Sequence, residues 1–64
     1  MSKTSAQLIK EKRLEAEMSQ YTLASKCKLQ QKDISRWENG HTKPGIESLQ
    51  KLAKALKCNW KDLA

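Results

Sequence analysis

The segment from Gln30 to Arg36 carries amide, hydroxyl and cationic side chains whose chemistry suits recognition of base edges in DNA. A glutamine amide can pair with N6 and N7 of adenine, and an arginine or lysine can pair with O6 and N7 of guanine. Asp33 is the exception, because a carboxylate near phosphates lowers affinity unless it accepts from cytosine N4 or pairs with Lys32 or Arg36. We therefore expect Asp33 at the edge of such a surface. The alternative interpretation of the segment is an unspecialised polar helix surface.

Composition favours a polyanionic partner for the chain as a whole. Thirteen Lys and Arg residues against seven Asp and Glu residues give the 64 residues a net charge of +6 and a pI near 9.6. Nucleic acid is the first candidate for such a partner. The cations are spread through segments with helical patterning, so we expect them on a folded surface rather than in a disordered tail. The length fits one small domain, residues 1–64, with little room for a buried active site.

Several classes of protein do not fit the sequence. No apolar stretch approaches the roughly 18 residues of a membrane span and no signal peptide is recognisable, so we expect a cytoplasmic protein. The chain has no paired-carboxylate site, no arrangement of nucleophile and base, and no phosphate-binding glycine loop, so it predicts a binding protein and not an enzyme. We predict no metal, cofactor or small-molecule ligand, because C-x-x-C is absent and His41 has no second ligand nearby. Cys27 and Cys58 fit apolar helical positions, and we interpret them as reduced core residues rather than as a disulfide.

The periodicity of apolar residues and the scarcity of helix breakers predict an all-α domain of five short helices. Thr4 and Gln7 form a capping-box pattern that opens the first helix, which runs to about Glu15. Ser19 is the expected N-cap of the second helix. The third helix begins near Gln31 and ends at Asn39-Gly40, where glycine can adopt a left-handed conformation.

The fourth helix has the clearest amphipathic pattern in the chain. Its apolar stripe consists of Ile46, Leu49, Leu52, Ala53 and Leu56. Asn59 and Asp62 have the spacing to cap a last short turn that contains Trp60 and Leu63. Together the helices predict a core formed by Ile9, Leu23, Ala24, Cys27, Ile34, Trp37, Leu49, Leu52 and Leu56.

Residues 19–38 have the arrangement of a helix-turn-helix, two short helices joined by three or four residues. In that arrangement the second helix enters the major groove of DNA and the first crosses the phosphates. From about Leu8 onward, the chain resembles the lambdoid repressor and Cro family, often called XRE-type. The resemblance is carried by Ser19-Gln20, Leu23-Ala24, Ile34-Ser35-Arg36-Trp37-Glu38-Asn39-Gly40, Pro44 and Leu52-Ala53-Lys54-Ala55-Leu56. It implies a compact lambda-repressor-like domain whose helix-turn-helix is formed by helices 2 and 3.

The resemblance also implies a set of site residues. Positions that face base edges in the family match Gln30, Gln31, Lys32, Ser35 and Arg36. Positions that contact phosphates match Arg13, Ser19, Gln20, Asn39, Thr42 and Lys43. Arg13 and Glu38 match a family pair that fixes the angle between helices, so Arg13 is expected to be scaffold first and DNA contact second.

Two residues depart from the family pattern near the turn. Lys28 stands where relatives usually have glycine, at a cost of about 1 kcal/mol if the left-handed backbone is kept. Gln30 replaces a small Ser or Thr cap, so the third helix is expected to start without a good cap. Both departures leave open a slightly different turn and a different register of Gln30 and Gln31.

The leading hypothesis is a sequence-specific transcriptional regulator of bacterial or phage origin, acting as a repressor on an inverted-repeat operator in double-stranded DNA. A weak homodimer, strengthened on DNA, is expected through the fourth helix, the loop after it and Trp60, although Trp60 fits a core position equally well. Lys51, Lys54, Lys57 and Lys61 are interpreted as a solvated face. The alternatives are a protein-interaction adaptor of antitoxin-like or coactivator-like type, and nonspecific nucleic-acid packaging.

Overall fold

The computed structural model describes residues 3–63, which form four α-helices and one short 3-10 turn and contain no strand. The helices are α1 (Ser5–Glu15), α2 (Gln20–Cys27), α3 (Gln31–Glu38) and α4 (Ile46–Leu56), and the terminal turn is Trp60–Asp62. The all-α prediction is therefore confirmed, but the prediction of five α-helices is wrong. The fifth element is only three residues long, and the Asn59 side chain makes no capping hydrogen bond to it. One helical turn fixes several backbone angles for few hydrogen bonds, which explains why it does not extend into an α-helix.

The starts of α1 and α2 follow the predicted capping patterns. The backbone N–H of Gln7 donates to Thr4 Oγ1 at 3.3 Å, and the backbone N–H of Thr4 donates to Gln7 Oε1 at 3.0 Å. The backbone N–H of Thr22 donates to Ser19 Oγ at 3.0 Å. These bonds satisfy donors that the first turn of a helix leaves without partners.

All four helices end in the same way, with one residue in the left-handed region. These residues are Glu17, Lys28, Gly40 and Lys57. After α3, for example, Gly40 N–H donates to Trp37 O at 3.1 Å and His41 N–H donates to Arg36 O at 3.0 Å. This pair of bonds is the Schellman motif, which glycine favours because it has no Cβ. Only one of the four ends has the glycine, so three helices end on a strained backbone.

The core lies where the four helices meet. Helix α1 packs against α3 and α4, α2 packs against the same two helices, and the terminal turn packs against α4. Every predicted core residue is buried, and Ala53 and Leu63 join them. Ile46 departs from the predicted stripe of α4, since it is 62% exposed. It is the first residue of its helix, and helical side chains are directed towards the N-terminal end, where α4 has no preceding turn.

The remaining apolar residues are arranged around this core. Cys27 is buried, whereas Cys58 and Trp60 are half-buried and pack against the core from the C-terminal side. Both cysteines are free thiols. Among residues 3–63, no helix combines the length and the apolar composition needed to cross a lipid bilayer.

Candidate nucleic-acid interface

The connection between α2 and α3 determines how α3 projects from the molecule. Lys28 has φ 58° and ψ 37°, a left-handed conformation that glycine adopts without a steric cost. Leu29 N–H donates to Ala24 O at 2.8 Å and Lys28 N–H donates to Ser25 O at 3.2 Å. The turn therefore has a left-handed residue despite the lysine, at a conformational cost of about 1 kcal/mol.

Helix α3 has one buried face and one exposed face. Ile34 is fully buried and Trp37 is 9% exposed, and these two residues fix the rotation of the helix about its own axis. The opposite face presents the side chains predicted to contact bases. Gln30, Gln31, Lys32 and Arg36 are exposed, and Ser35 is half-buried. The structure thus brings all five predicted base-contacting residues together on one side of α3 or at its start.

The N-terminus of α3 has no side-chain cap. Gln30 occupies the N-cap position with extended backbone, but its side chain makes no capping hydrogen bond. Its amide is therefore free to bind a ligand, as is that of the adjacent, exposed Gln31. Because a glutamine amide has both a donor and an acceptor, each can form a bidentate pair with adenine.

The other end of α3 is held by a nearly buried ion pair. Arg13 Nε donates to Glu38 Oε2 at 2.6 Å and Arg13 Nη2 donates to Glu38 Oε1 at 3.0 Å. Only 11% of the Arg13 side chain and 3% of the Glu38 side chain are exposed. The hydrogen bond to Glu38 raises the pKa of Arg13 above its ordinary value, although burial opposes this shift. The bidentate geometry makes the pair a rigid link between α1 and α3.

Two further bonds complete this link. Arg13 Nη1 donates to the backbone carbonyl of Met18 at 2.8 Å, and the Gln20 amide nitrogen donates to Glu38 Oε1 at 3.2 Å. The bridge cluster, as we call Arg13, Gln20 and Glu38 together, joins α1, α2 and α3. Arg13 acts here as scaffold, and any phosphate contact from it would have to come from the N–H groups that these bonds leave free.

Apart from Arg13, the predicted phosphate-contacting residues come from two segments of the chain, the start of α2 and the stretch from the C-cap of α3 into the following loop. Ser19 and Gln20 are at the start of α2, where the Ser19 hydroxyl caps the helix and also donates to Thr22 Oγ1 at 2.9 Å. Thr42 and Lys43 are exposed in the loop that follows α3. With α3 in the major groove of a duplex, the start of α2 would lie near phosphates, because the first helix of this motif crosses the DNA backbone.

Sequence reasoning missed some of these contacts. The Met18 carbonyl could not be anticipated, because a backbone acceptor leaves no mark in the residue type. The hydrogen bond from Gln20 to Glu38 was also missed. The sequence offered one indication of it, since Gln20 begins α2 and Glu38 ends α3 and the two side chains can pair. A third missed contact joins Asn39 Nδ2 to Ser35 Oγ at 3.3 Å, so a predicted phosphate contact and a predicted base contact are hydrogen-bonded to each other.

The charge of this face is positive. Lys32, Arg36 and Lys43 are exposed cations on or beside it, while Asp33 is half-buried at its edge. Within residues 3–63, Asp33 forms no ion pair with Lys32 or Arg36. Nor do three His, Cys, Asp or Glu side chains come together in this part of the chain to hold a metal ion. The face therefore offers cations, amides and a hydroxyl for hydrogen bonding to a polyanion.

Comparison with known proteins yields a family match and two closely similar structures. Residues 9–63 match the family model described as Helix-turn-helix. The DNA-binding domain of the P22 c2 repressor, solved by NMR in solution, has a TM-score of 0.92 and 28% identity, with 98% of this chain and 83% of that chain covered. The crystal structure of the P22 c2 repressor with synthetic operator 9T and Tl⁺ has a TM-score of 0.90 and 29% identity, with 97% and 94% covered. No curated protein sequence matches the chain.

Proposed function

The chain belongs to the helix-turn-helix family, and we propose that it is a sequence-specific DNA-binding transcriptional regulator that acts as a repressor. The observation that carries this proposal is the construction of α3. Ile34 and Trp37 pack one face of α3 into the core. The opposite face and the start of the helix present cations and glutamine amides, and the Gln30 amide makes no capping hydrogen bond. A helix held this rigidly can present its polar side chains to base edges at fixed positions.

In the proposed complex, α3 lies in the major groove of an operator half-site. Base edges are contacted by Gln30, Gln31, Lys32, Ser35 and Arg36. Phosphates are contacted by Ser19, Gln20, Asn39, Thr42 and Lys43, with Arg13 as a further contact behind them. The phosphate contacts set position and register, and the base contacts select the sequence.

A single α3 reads only a few base pairs, so the proposal includes two-fold pairing on DNA. Two copies would bind an inverted repeat with half-sites about one helical turn apart, as is general for this motif. Trp60, which is half-buried next to α4, is the proposed contact between the copies. The dimer is expected to be weak in solution and strengthened by DNA. Such a regulator would work in the cytoplasm of a bacterium, encoded by the cell or by a phage.

Selection of bound sequences from a random pool of duplex DNA tests the proposal. The experiment is performed at fixed, near-physiological salt, because phosphate contacts make the affinity depend on salt. We expect an enriched motif with two-fold symmetry. Binding that follows ionic strength without enriching a motif would contradict sequence recognition and indicate nonspecific packaging. Absence of binding would favour a protein-interaction adaptor on the same fold.

A further inference from the structure

A second positively charged surface lies between the C-terminal half of α2 and the middle of α4. It is a groove of about 310 Å³. Its lining residues are Lys26, Cys27, Lys28, Lys51, Lys54 and Ala55, and we call it the basic groove. None of its lining residues belongs to α3 or to the loop after α3, so it is separate from the proposed DNA-binding face.

The floor of the basic groove is apolar and fixed. Cys27 is 5% exposed, and its thiol donates to the Lys51 carbonyl at 3.5 Å, which joins α2 to α4. Burial raises the pKa of Cys27, although the charge of Lys51 opposes the shift, so the thiol is neutral at physiological pH. Ala55 is half-buried beside it. Four exposed lysines therefore surround a small apolar floor. Binding of phosphates would need only the lysines, so the apolar floor favours a ligand that also has an apolar side chain.

The same chain carries a complementary surface at the C-terminal end of α1. Leu14 is 55% exposed on the helix that buries Ile9. Glu15 and Glu17 follow it in the chain, and both are exposed. The nearest cation to Glu15 is Lys12 at 3.9 Å, and 71% of the Glu15 side chain is exposed. The partial negative charge of a helix C-terminus adds to these carboxylates. We call Leu14, Glu15 and Glu17 the acidic end.

We propose that copies of this chain associate head to tail, with the acidic end of one copy in the basic groove of the next. Leu14 would cover the apolar floor at Cys27 and Ala55, and the two carboxylates would face the lysines at the rim. The contact is between molecules, because Leu14 does not line the groove of its own chain and remains exposed. It joins unlike surfaces, so it is distinct from two-fold pairing at Trp60 and could link copies on neighbouring DNA sites.

Charge reversal in the groove tests this proposal without DNA. The variant K51E/K54E is compared with the matched control K57E/K61E, and each pair of reversals lowers the net charge from +6 to +2. Lower net charge weakens repulsion between copies, so net charge alone predicts stronger association of both variants. We expect K51E/K54E instead to associate at least about fivefold more weakly than wild type, and K57E/K61E no more weakly. Because Lys57 and Lys61 lie beside the proposed two-fold contact at Trp60, weakening by K57E/K61E alone would indicate two-fold pairing and overturn the head-to-tail contact. Sedimentation equilibrium near 0.1 M salt, where the screening length is about 10 Å, measures both.

A complementary charge reversal in the acidic end should restore association when the two variants are mixed. The variant E15K/E17K should also lose association, since lysines then meet lysines. An equimolar mixture of E15K/E17K with K51E/K54E should associate again. The lysines of the reversed end then meet the glutamates of the reversed groove, and the unchanged acidic end of K51E/K54E meets the unchanged basic groove of E15K/E17K. Circular dichroism of each variant checks that the fold is retained.

Three further results would overturn the proposal. The first is a wild-type chain that remains monomeric up to millimolar concentration. The second is equal behaviour of K51E/K54E and K57E/K61E, and the third is a mixture that does not associate. If K51E/K54E instead weakens binding to duplex DNA much more than K57E/K61E does, and wild type stays monomeric, the groove is a nucleic-acid surface. Because association is measured without DNA, its failure leaves the proposed regulator function untouched.

Discussion

The two ends of α3 are built in opposite ways. At the C-terminal end, Trp37 is buried, Glu38 is held by two hydrogen bonds from Arg13, and Gly40 supplies the left-handed residue of the Schellman motif. At the N-terminal end, Gln30 provides no side-chain cap. The backbone that leads into it passes through the left-handed region on a lysine.

The difference teaches how a recognition helix can be rigid while its leading residues stay available. The C-terminal end is anchored to α1 and α2 through the bridge cluster, so the direction of α3 is fixed at the end opposite Gln30 and Gln31. The N-terminal end gives up the stability of a capping residue, and in return the Gln30 and Gln31 amides make no internal hydrogen bond that a base would have to replace. Substitutions at the two ends should therefore have different consequences.

The largest effect is expected at the anchored end. Glu38→Ala leaves the Arg13 guanidinium nearly buried without its counterion, and loss of one partner of a buried ion pair costs about 3–5 kcal/mol. Urea denaturation measures the change in unfolding free energy. Glu47→Ala, at an exposed glutamate, is the control and should change stability by no more than about 0.5 kcal/mol. A loss below about 1 kcal/mol for Glu38→Ala would show that the bridge does not anchor α3.

A smaller loss is expected for Gly40→Ala. Gly40 has φ +78°, and a Cβ built there meets no atom within 4 Å, so the effect is conformational and not steric. Placing an L-residue in the left-handed region should destabilise the domain by about 1 kcal/mol. Gly40→Asn is the matched control, because asparagine tolerates the left-handed region better than alanine does. Equal melting temperatures of the two variants would contradict this explanation.

A gain in stability is expected at the uncapped end. Gln30→Ser introduces a hydroxyl that can accept from the backbone N–H groups of the first turn, as Ser19 does for α2. Such a cap should stabilise the domain by about 0.5–1 kcal/mol. Thermal unfolding followed by circular dichroism measures the gain, with Gln31→Ser as the control at a position that cannot cap. No difference between the two serine variants would mean that the backbone N–H groups of the first turn of α3 already have hydrogen-bond partners.

The smallest effect is expected at the turn itself. Lys28→Gly removes the left-handed strain, but glycine also loses more chain entropy on folding, so the net gain should be about 0.5 kcal/mol. Lys26→Gly, within α2, is the control and should lose about 1 kcal/mol. A destabilised Lys28→Gly variant would indicate that the lysine side chain makes a contribution larger than its backbone cost.

Much of this arrangement was predictable because it depends on local signals. The Thr4 capping box, the Ser19 cap and the apolar periods of α2, α3 and α4 each lie within a few residues of one another. These local patterns placed the helices and the buried face of α3 correctly. The left-handed conformation of Lys28 was not settled by local reasoning, because a lysine in place of the glycine of relatives left a different turn open.

The errors arose where the outcome depends on distant parts of the chain. Ile46 continues the apolar period of α4, yet it is exposed as the first residue of that helix. Leu63 follows the terminal turn, and only its contact with the rest of the core makes it fully buried. The link between Gln20 and Glu38 depends on how α2 crosses α3, which no local pattern specifies.

The most direct test of the central claim, that the exposed face of α3 reads DNA sequence, is a ratio of two affinities. Binding of wild type and Arg36→Ala is measured at one salt concentration, on the sequence selected by wild type and on unrelated duplex DNA, with Lys61→Ala as a control of equal net charge. The account predicts that Arg36→Ala weakens binding to the selected sequence about tenfold or more while binding to unrelated DNA changes little. Equal weakening on both sequences, as expected from loss of a phosphate contact alone, would contradict it.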